Sequence, residues 1–204
     1  MARDRNPIVK QSRRENFALA PKAGKIMAKK TGAPGAHPHT RSKGSLYLTR
    51  LREKQKVRRL YGLMEKQFHK TYVEAMRAPG LTGENLLEYL ERRADNAVYR
   101  AGFATTRRAA RQLVSHGHFL LNGRRVDIPS IRLEKGDVLE VRPHSKNTEY
   151  FKNLKNVIAS ASPLPLSWLD ADQGKMKITI KDMPKREEAE VGINEQLIVE
   201  FYSR

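Results

Sequence analysis

A group of arginines near the middle of the chain has the residue types and spacing needed to bind a polyanion. Arg111 follows Arg108 by three residues and Arg107 by four, which places the three arginines on one solvent-facing side of a helix. Arg124 and Arg125 directly follow an Asn-Gly pair that predicts a tight hairpin. The planar guanidinium group can engage two phosphate oxygens and can also stack on bases. The pattern therefore predicts a compact cationic surface.

A short helix and a hairpin must position these arginines. Thr105 is suited to cap the start of the helix, because its hydroxyl can accept a hydrogen bond from an amide of the first turn. Gly117 is suited to end the helix, since glycine tolerates positive φ. Asn122-Gly123 predicts the turn of the hairpin over residues 118–127. The buried stripe of the helix is predicted to consist of Ala109, Ala110, Leu113 and Val114.

The histidines of the chain suggest acid–base or metal chemistry only weakly. His116 and His118 flank Gly117, where a cap residue and the first residue of a strand are the simpler interpretation, and His116 can donate to a phosphate. The two histidines of His37–His39 have no further ligands nearby in sequence. The chain contains no cysteine, which excludes a disulfide and a thiolate zinc site. We therefore predict no catalytic residue, no metal and no cofactor.

The positive charge is concentrated toward the N-terminus. The formal net charge is +18 over 204 residues. Residues 1–80 contain 20 Lys and Arg against 5 Asp and Glu, whereas residues 162–204 contain 6 against 8. This distribution fits nucleic acid or another anionic surface better than general solubility. No apolar run approaches the roughly 20 residues that span a bilayer, and no apolar stretch typical of a secretory signal follows the basic start.

Residues 1–44 predict a basic arm that is extended or becomes ordered only on its partner. A disordered solubilising tail is the alternative, and the charge favours an RNA-binding arm that folds on contact. The residues expected to interrupt regular structure are Pro7, Pro21, Gly24, Gly32, Pro34, Gly35, Pro38 and Gly44.

The rest of the chain predicts helices and short strands. Residues 45–78 predict two helices separated near Gly62, the first capped by Ser45, and a third helix runs from Thr82 to about Ala101. Residues 195–202 predict a terminal helix capped by Asn194, with a strand as the alternative. The core positions of the second helix are predicted to be Met64, Phe68, Tyr72 and Met76. Further strands are predicted at 138–141, 168–169 and 175–181, and a further helix at 147–160.

Several motifs together resemble one known family. They are Leu51–Gly62, Glu65–Phe68, Thr82–Leu87, Asp95-Asn96, Val98–Arg100, Arg111–His116, Asn122-Gly123, Trp168-Leu169, Gly174–Met176 and Ile193–Ser203. Through them nearly the whole chain resembles the bacterial small-subunit ribosomal protein four family, in its cysteine-free, zinc-less form. Residues 92–155 resemble the alpha-L RNA-binding module. Some relatives hold zinc with four N-terminal cysteines, which this chain lacks.

The resemblance implies an α+β fold made of three parts. Residues 1–44 would be the basic extended arm. Residues 45–91 and 156–204 would form a mainly helical domain with short C-terminal strands. Residues 92–155 would form the inserted alpha-L module, in which helices pack on a small antiparallel sheet.

The resemblance also implies a structural role in the small ribosomal subunit rather than an enzymatic one. Such proteins bind the five-way junction in the 5′ domain of small-subunit ribosomal RNA (rRNA) and nucleate assembly. They lie beside small-subunit proteins three and five, near the channel through which messenger RNA (mRNA) enters, and they affect translational accuracy. By this resemblance Arg41 and Lys43 would face mRNA. The expected location is a cytoplasmic ribosome, with an organellar ribosome left open.

The predicted rRNA contacts fall into a group on the first long helix, a group before and within the module helix, and a group around the hairpin. An A-form helix hides its base edges in a deep and narrow groove, so most contacts should follow the backbone. Asn122 and Gln112 are the better candidates for contacts to bases or 2′-hydroxyls. The complete set is Arg50, Arg52, Lys54, Lys56, Arg58, Arg59, Arg93, Arg100, Arg107, Arg108, Arg111, Gln112, His116, Asn122, Arg124 and Arg125.

Two other functions compete with this interpretation. Alpha-L modules are also attached to RNA-modifying enzymes, but no stretch of this chain predicts a separate catalytic domain. A stand-alone RNA chaperone with such a module would lack the segments 1–80 and 162–204.

Overall fold

The described part of the chain forms two compact units. A computed structural model describes residues 4–30, 32–36, 44–154, 156 and 166–203. The first unit comprises Met1–Leu86 and Glu190–Arg204, and the second unit comprises Leu87–Ala189. Helices combine with a five-stranded antiparallel sheet, which confirms the predicted α+β class. No helix among the described residues is long and apolar enough to cross a membrane.

The first unit begins with two helices, where the sequence predicted an extended arm. Helix α1 spans Ile8–Glu15, and helix α2 spans Pro21–Lys29. An extended conformation is wrong for these residues, because the prolines start the helices instead of interrupting them. Pro7 is the N-cap of α1, and Pro21 is the first residue of α2, where its missing amide hydrogen costs nothing. Asn16, with φ of 49°, ends α1.

Two longer helices follow as predicted. Helix α3 spans Leu46–Leu60 and helix α4 spans Glu65–Arg77. The hydroxyl of Ser45 accepts a hydrogen bond from the amide of Leu48 at 3.1 Å, which confirms it as the N-cap of α3. Between the two helices Gly62 adopts φ of +65°.

The predicted core stripe of α4 is correct only in its middle. Phe68 and Tyr72 are buried, whereas Met64 is 38% exposed and Met76 is 53% exposed. Residues four apart advance by about 40° beyond a full turn, so the ends of a twelve-residue stripe differ by about 120°. The two methionines therefore leave the buried face on opposite sides.

The first unit is completed by helix α10, which spans Glu195–Tyr202. The side-chain oxygen of Asn194 accepts hydrogen bonds from the amides of Gln196 and Leu197, so the predicted cap is confirmed. The aromatic ring of Tyr202 lies 4.6 Å from that of Tyr72, centroid to centroid. The buried Ile198 and the partly buried aromatic rings form the inner face of a helix and not of the alternative strand.

The single helix predicted from Thr82 to about Ala101 is interrupted. Helix α5 spans Thr82–Glu91, and helix α6 spans Ala94–Arg100. The amide of Ala94 donates to the carbonyl of Ile131 at 2.8 Å, and the amide of Leu133 donates to the carbonyl of Arg92 at 2.8 Å. These long-range backbone bonds replace the helical ones between α5 and α6, and helical propensity alone does not reveal them.

Helix α7 spans Arg107–Ser115, and its cap differs by one residue from the prediction. The hydroxyl of Thr106, rather than that of Thr105, accepts a hydrogen bond from the amide of Ala109 at 3.1 Å. Two short helices follow later in the chain, α8 at Pro143–Lys146 and α9 at Glu149–Lys152. Most of the predicted helix after residue 154 lies outside the described residues.

The sheet of the second unit has the order β2-β1-β3-β5-β4. Its strands are β1 at Phe119–Leu121, β2 at Arg124–Val126, β3 at Val138–Val141, β4 at Leu169–Asp172 and β5 at Lys177–Ile180. The β1–β2 hairpin and its Asn122-Gly123 turn are confirmed, with φ of 49° and 81°.

The last two strands belong to this sheet and not to the mainly helical domain in which the sequence placed them. Strand β5 pairs with β3, with Leu139 opposite Ile178. Ile178 and Ile180 alternate with polar residues and are buried with Phe119 and Trp168 in one core. Burial of this shared apolar face accounts for the long-range pairing.

Candidate nucleic-acid interface

The basic residues of α3 are held by carboxylates of the first unit. Arg50 pairs with Glu200 at 2.7 Å, and Lys54 pairs with Glu65 at 2.7 Å. The other predicted rRNA contacts of this helix are engaged in the same way. These pairs are Arg52 and Arg59 with Glu15, Lys56 with Glu53, and Arg58 with Glu65.

Glu15 joins α1 to α3. Its side chain is fully buried, and one of its oxygens accepts hydrogen bonds from both Arg52 and Arg59. Burial raises the pKa of Glu15, and the two guanidinium groups oppose that rise. The carboxylate therefore ties the first helix of the basic arm to the body of the unit.

Lys54 is the most buried cation of α3. Its side-chain nitrogen lies 4.7 Å from the ring centroid of Phe201 and bonds to Glu65. The hydroxyl of Tyr202 donates to the same carboxylate at 2.7 Å. Burial disfavours the charge of Glu65, but these hydrogen bonds outweigh burial and lower its pKa. Lys54 thus packs α10 against α3 and does not face solvent.

Three predicted contacts in the second unit are also buried. Arg93 forms two hydrogen bonds with Asp95, and Arg111 reaches the same carboxylate at 3.3 Å. Arg100 forms two hydrogen bonds with Glu91, at 2.9 and 2.7 Å. Arg93, Arg100 and Arg111 are 6%, 8% and 8% exposed. The expected solvent-facing side shared by the helix arginines is therefore wrong for Arg111, because a buried carboxylate of α6 draws it inward.

Arg107 is half-buried, and hydrogen bonds and a ring contact fix it at the start of α7. Its Nε donates to Oδ1 of Asn96 at 2.9 Å, and the amide nitrogen of Asn96 donates to Glu91 at 2.7 Å. The guanidinium carbon lies 4.5 Å from the ring centroid of Tyr99. The buried ion pairs thus support the position of a side chain that solvent can reach.

The remaining predicted contacts are on the surface of the second unit. Their side chains project from the outer face of α7 and from the tip of the hairpin. The exposed members are Arg108, Gln112, His116, Asn122, Arg124 and Arg125.

Asn122 is exposed, but its amide group already forms hydrogen bonds. Its nitrogen donates to Asp137 at 2.8 Å, and its oxygen accepts from the amide of Val138 at 2.9 Å. Asn122 therefore holds the hairpin turn against the start of β3. Gln112 is left as the better placed of the two amide side chains predicted to contact RNA.

Gly117 brings the end of α7 and the hairpin together. A Cβ atom at this residue would lie 2.6 Å from Nε of Arg125, and its φ of +70° also favours glycine. Nη1 of Arg142 donates to the carbonyl of Gly117 at 3.3 Å. Sequence reasoning missed Arg142 because it stands alone after β3, and only the pairing of β3 with β1 brings it here.

A second arginine that was missed is Arg132. Its guanidinium carbon lies 4.3 Å from the ring centroid of Tyr89. The residue precedes Leu133 in a loop with no other basic residue beside it, so local charge density gave no signal. The Arg–Tyr stack is a further cationic group of the second unit.

His118 serves structure beside the end of α7. Nδ1 of His118 lies 3.0 Å from the hydroxyl of Ser145. Burial lowers the pKa of His118, and the charges of His116 and Arg142 lower it further. Among the described residues, no three His, Cys, Asp or Glu side chains come together as metal ligands. His37–His39, Arg41 and Lys43 lie outside the described residues.

Comparison with known proteins gives the family. Residues 3–91 match the ribosomal protein S4/S9 N-terminal domain, and residues 92–139 match the S4 domain. The small ribosomal subunit protein uS4 of Herpetosiphon aurantiacus is 49% identical over 211 residues, covering 100% of both chains. The chain belongs to the uS4 family. The uS4 proteins of Roseiflexus sp. and Mycobacterium avium are 49% and 48% identical, again over 100% of both chains.

Membership of the uS4 family confirms the resemblance and the non-enzymatic assignment, since uS4 is a structural protein of the ribosome. The S4 domain is an RNA-binding domain, and its matched residues include α6, α7 and the β1–β2 hairpin. The exposed predicted RNA contacts of the second unit thus lie within the S4 domain. Arg142 lies just beyond the matched residues.

Proposed function

We propose that the chain is a structural component of the small ribosomal subunit that binds the 5′-domain junction of small-subunit rRNA and nucleates assembly. The observation that carries the proposal is the cationic surface of α7 and the hairpin. Between Asp95 and Asp127 the sequence contains no acidic residue. This surface lies within an S4 domain, and the relatives are named small ribosomal subunit proteins.

The surface residues would bind the RNA backbone. Arg108, Arg124 and Arg125 project from α7 and the hairpin, whose folded backbone fixes where the three side chains begin, so only the side chains need to be ordered on phosphates. Most contacts would follow the A-form backbone, and Gln112 would reach a base or a 2′-hydroxyl. The half-buried Arg107 would add a phosphate contact beside them.

The buried cations would support binding indirectly. Lys54, Arg93, Arg100 and Arg111 hold helices in place and are not themselves accessible. The half-buried α3 cations would contact RNA only where a phosphate competes with their carboxylate partners. These are Arg50, Arg52, Lys56, Arg58 and Arg59.

The basic arm would supply further phosphate contacts from helical, not extended, segments. The exposed lysines of α1 and α2 are Lys10, Lys22, Lys25 and Lys29. Exposed lysines act mainly as point charges, so their contribution would be sensitive to salt and insensitive to sequence.

Further features of the role belong to the same proposal. The protein would lie near the mRNA channel, with Arg41 and Lys43 facing mRNA, beside small-subunit proteins three and five. Changes there would affect translational accuracy. The ribosome concerned would be a cytoplasmic one, as the names of the relatives, small ribosomal subunit proteins, support.

Chemical footprinting on a transcript of the rRNA 5′ domain tests the proposal. We expect protection at the five-way junction at protein concentrations that leave a plain duplex of equal length unprotected. Equal protection of both RNAs would show that the chain binds RNA without preference for the junction. That result would contradict the junction assignment.

A further inference from the structure

We propose that Arg125, Arg142 and His116 form a binding site for one RNA backbone phosphate around Gly117. The site joins the C-terminal end of α7, the hairpin and the end of β3. The inference rests on the proposed function insofar as RNA supplies the phosphate. It goes beyond that function by assigning one phosphate to three residues, one of which lies outside the S4 match.

Both guanidinium groups lie against the same residue. Nε and Nη2 of Arg125 lie 2.6 and 2.9 Å from the position of a Cβ atom on Gly117. Nη1 of Arg142 donates to the carbonyl of that glycine at 3.3 Å, and its backbone amide donates to the carbonyl of His118 at 2.9 Å. Two cations thereby lie within a few ångströms of one buried backbone position, at the C-terminal end of α7, where Arg125 itself is exposed.

The charge of this cluster is not neutralised by the described part of the protein. No described carboxylate lies within the 4.0 Å of an ion pair to Arg125 or Arg142. The α3 cations and the buried arginines of the second unit, in contrast, each have a carboxylate partner. Like charges held together without a counterion favour an anion between them.

The carbonyl end of α7 is an opposing charge at this point of the structure. A helix end carries roughly half a negative charge, whereas the two guanidinium groups carry two positive charges. The exposed ring of His116 directly precedes the glycine and can donate to the same anion. The charges of His116 and Arg142 also help to lower the pKa of His118, consistent with a positive field at this point.

Gly117 is a positioning residue for the site. Any side chain at this residue would force the guanidinium group of Arg125 away, because the nearest approach would be 2.6 Å. Gly136 offers a matched control, since it lies in the same unit, has φ of +91° and has nothing within 4 Å of an added Cβ. Alanine at either glycine introduces backbone strain, but only at residue 117 does it displace an arginine.

The alternative is that the two arginines only cap the end of the helix. If they only cap the helix, their removal should lower the melting temperature of the protein. It should not change how RNA binding depends on salt. A phosphate contact makes a different prediction. Each phosphate contact that is lost should reduce the magnitude of the negative slope of log K against log salt by about 0.7 to 0.9.

The experiment measures binding of a 5′-domain junction transcript to the full chain from 50 to 200 mM salt. Arg125→Ala and Arg142→Gln should each weaken binding about tenfold. Each should also reduce the magnitude of the negative slope of log K against log salt by about 0.7 to 0.9. Gly117→Ala should weaken binding as much as Arg125→Ala does, and should have no further effect when combined with it. Gly136→Ala should leave binding unchanged. Melting temperatures show whether each variant is folded.

A second probe separates the site from the RNA. Titration of the wild-type protein with inorganic phosphate should shift the amide resonance of Gly117 and the Nε resonance of Arg125, and Arg142→Gln should abolish both shifts. Phosphate binding without junction binding would overturn the proposed function and leave the site standing. Junction binding with unchanged slopes in both arginine variants, or no response to phosphate, would overturn the site.

Discussion

Acidic side chains decide which basic residues of this protein can meet RNA. Glu91 and Asp95 hold Arg93, Arg100 and Arg111 in buried ion pairs. The sequence could not separate these arginines from their exposed neighbours, because both groups have the same type and similar spacing. The distinction arises because a carboxylate of α6 faces α7. No local sequence pattern indicates this contact.

Removing a buried arginine should affect folding, and removing an exposed one should affect binding. Arg100→Ala leaves the carboxylate of Glu91 buried without the guanidinium that forms two hydrogen bonds with it, and should cost about 3–5 kcal/mol of unfolding free energy. Arg124→Ala should change stability by less than about 0.5 kcal/mol while weakening RNA binding. Urea unfolding followed by the fluorescence of Trp168 measures the first effect, and the junction transcript measures the second. Equal stability of the two variants would contradict the division.

Glu15 and Glu65, two glutamates of the first unit, should contribute to stability with opposite dependence on pH. The folded state raises the pKa of Glu15 above 4.5, so it binds the proton more tightly than the unfolded chain does. Stability due to Glu15 should therefore rise as pH falls toward 4.5 from above. The folded state lowers the pKa of Glu65, so its stabilising contribution is present above 4.5 and is lost as pH falls below that value.

Glu15→Gln and Glu65→Gln provide the measurement. Urea midpoints of the wild type, compared with each variant from pH 7 to pH 3, should show a difference that grows toward low pH for Glu15 and shrinks below pH 4.5 for Glu65. Parallel pH profiles for all three proteins would show that neither carboxylate has a shifted pKa.

Elements of this fold were predictable where their signals are local. Ser45 and Asn194 cap their helices, and Asn122-Gly123 turns the hairpin, as the sequence indicates. The break between α5 and α6 was not predictable, because its cause is backbone pairing with the loop at residues 129–133. The helices of the basic arm were missed because proline was interpreted as an interruption rather than a start.

The cap of α7 gives a test at the scale of an element. Thr106→Ala removes the hydroxyl that accepts the amide of Ala109 and should cost about 1 kcal/mol of unfolding free energy. Thr105→Ala, one residue earlier, should change stability by less than about 0.5 kcal/mol. Thermal or urea unfolding of the second unit compares them. A larger loss for Thr105→Ala would place the start of the helix one residue earlier than in the structure.

At the scale of the whole molecule, the distribution of charge is more informative than its total. The N-terminal segment has a large excess of cations, and the C-terminal segment has a small excess of anions. The exposed lysines of α2 have no carboxylate partner among the described residues, whereas Lys135, Lys175 and Lys181 are paired with Asp182, Asp172 and Asp170. We therefore expect the basic arm to contribute much of the salt-sensitive affinity.

Neutralising two sets of three lysines tests this expectation. Replacing Lys22, Lys25 and Lys29 by Gln should reduce the salt slope by about 2 to 3, because each lost phosphate contact removes about 0.7 to 0.9. The matched triple variant replaces Lys135, Lys175 and Lys181 by Gln. It should change the magnitude of the slope by less than about 0.7, the value for a single phosphate contact. Trp168 fluorescence reports the fold of the second unit in both variants. Equal slopes for the two variants would contradict the expectation that the basic arm contacts RNA.

The central claim is that the chain binds junction rRNA through many backbone phosphates. The most direct measurement is the affinity of the full chain for the 5′-domain junction transcript as salt is raised. With about five to ten phosphates neutralised, log K should fall linearly with log salt, with a slope of about −4 to −9. A slope near zero would contradict the claim, because it would mean that no counterions are released and that the cationic surfaces do not contact the RNA.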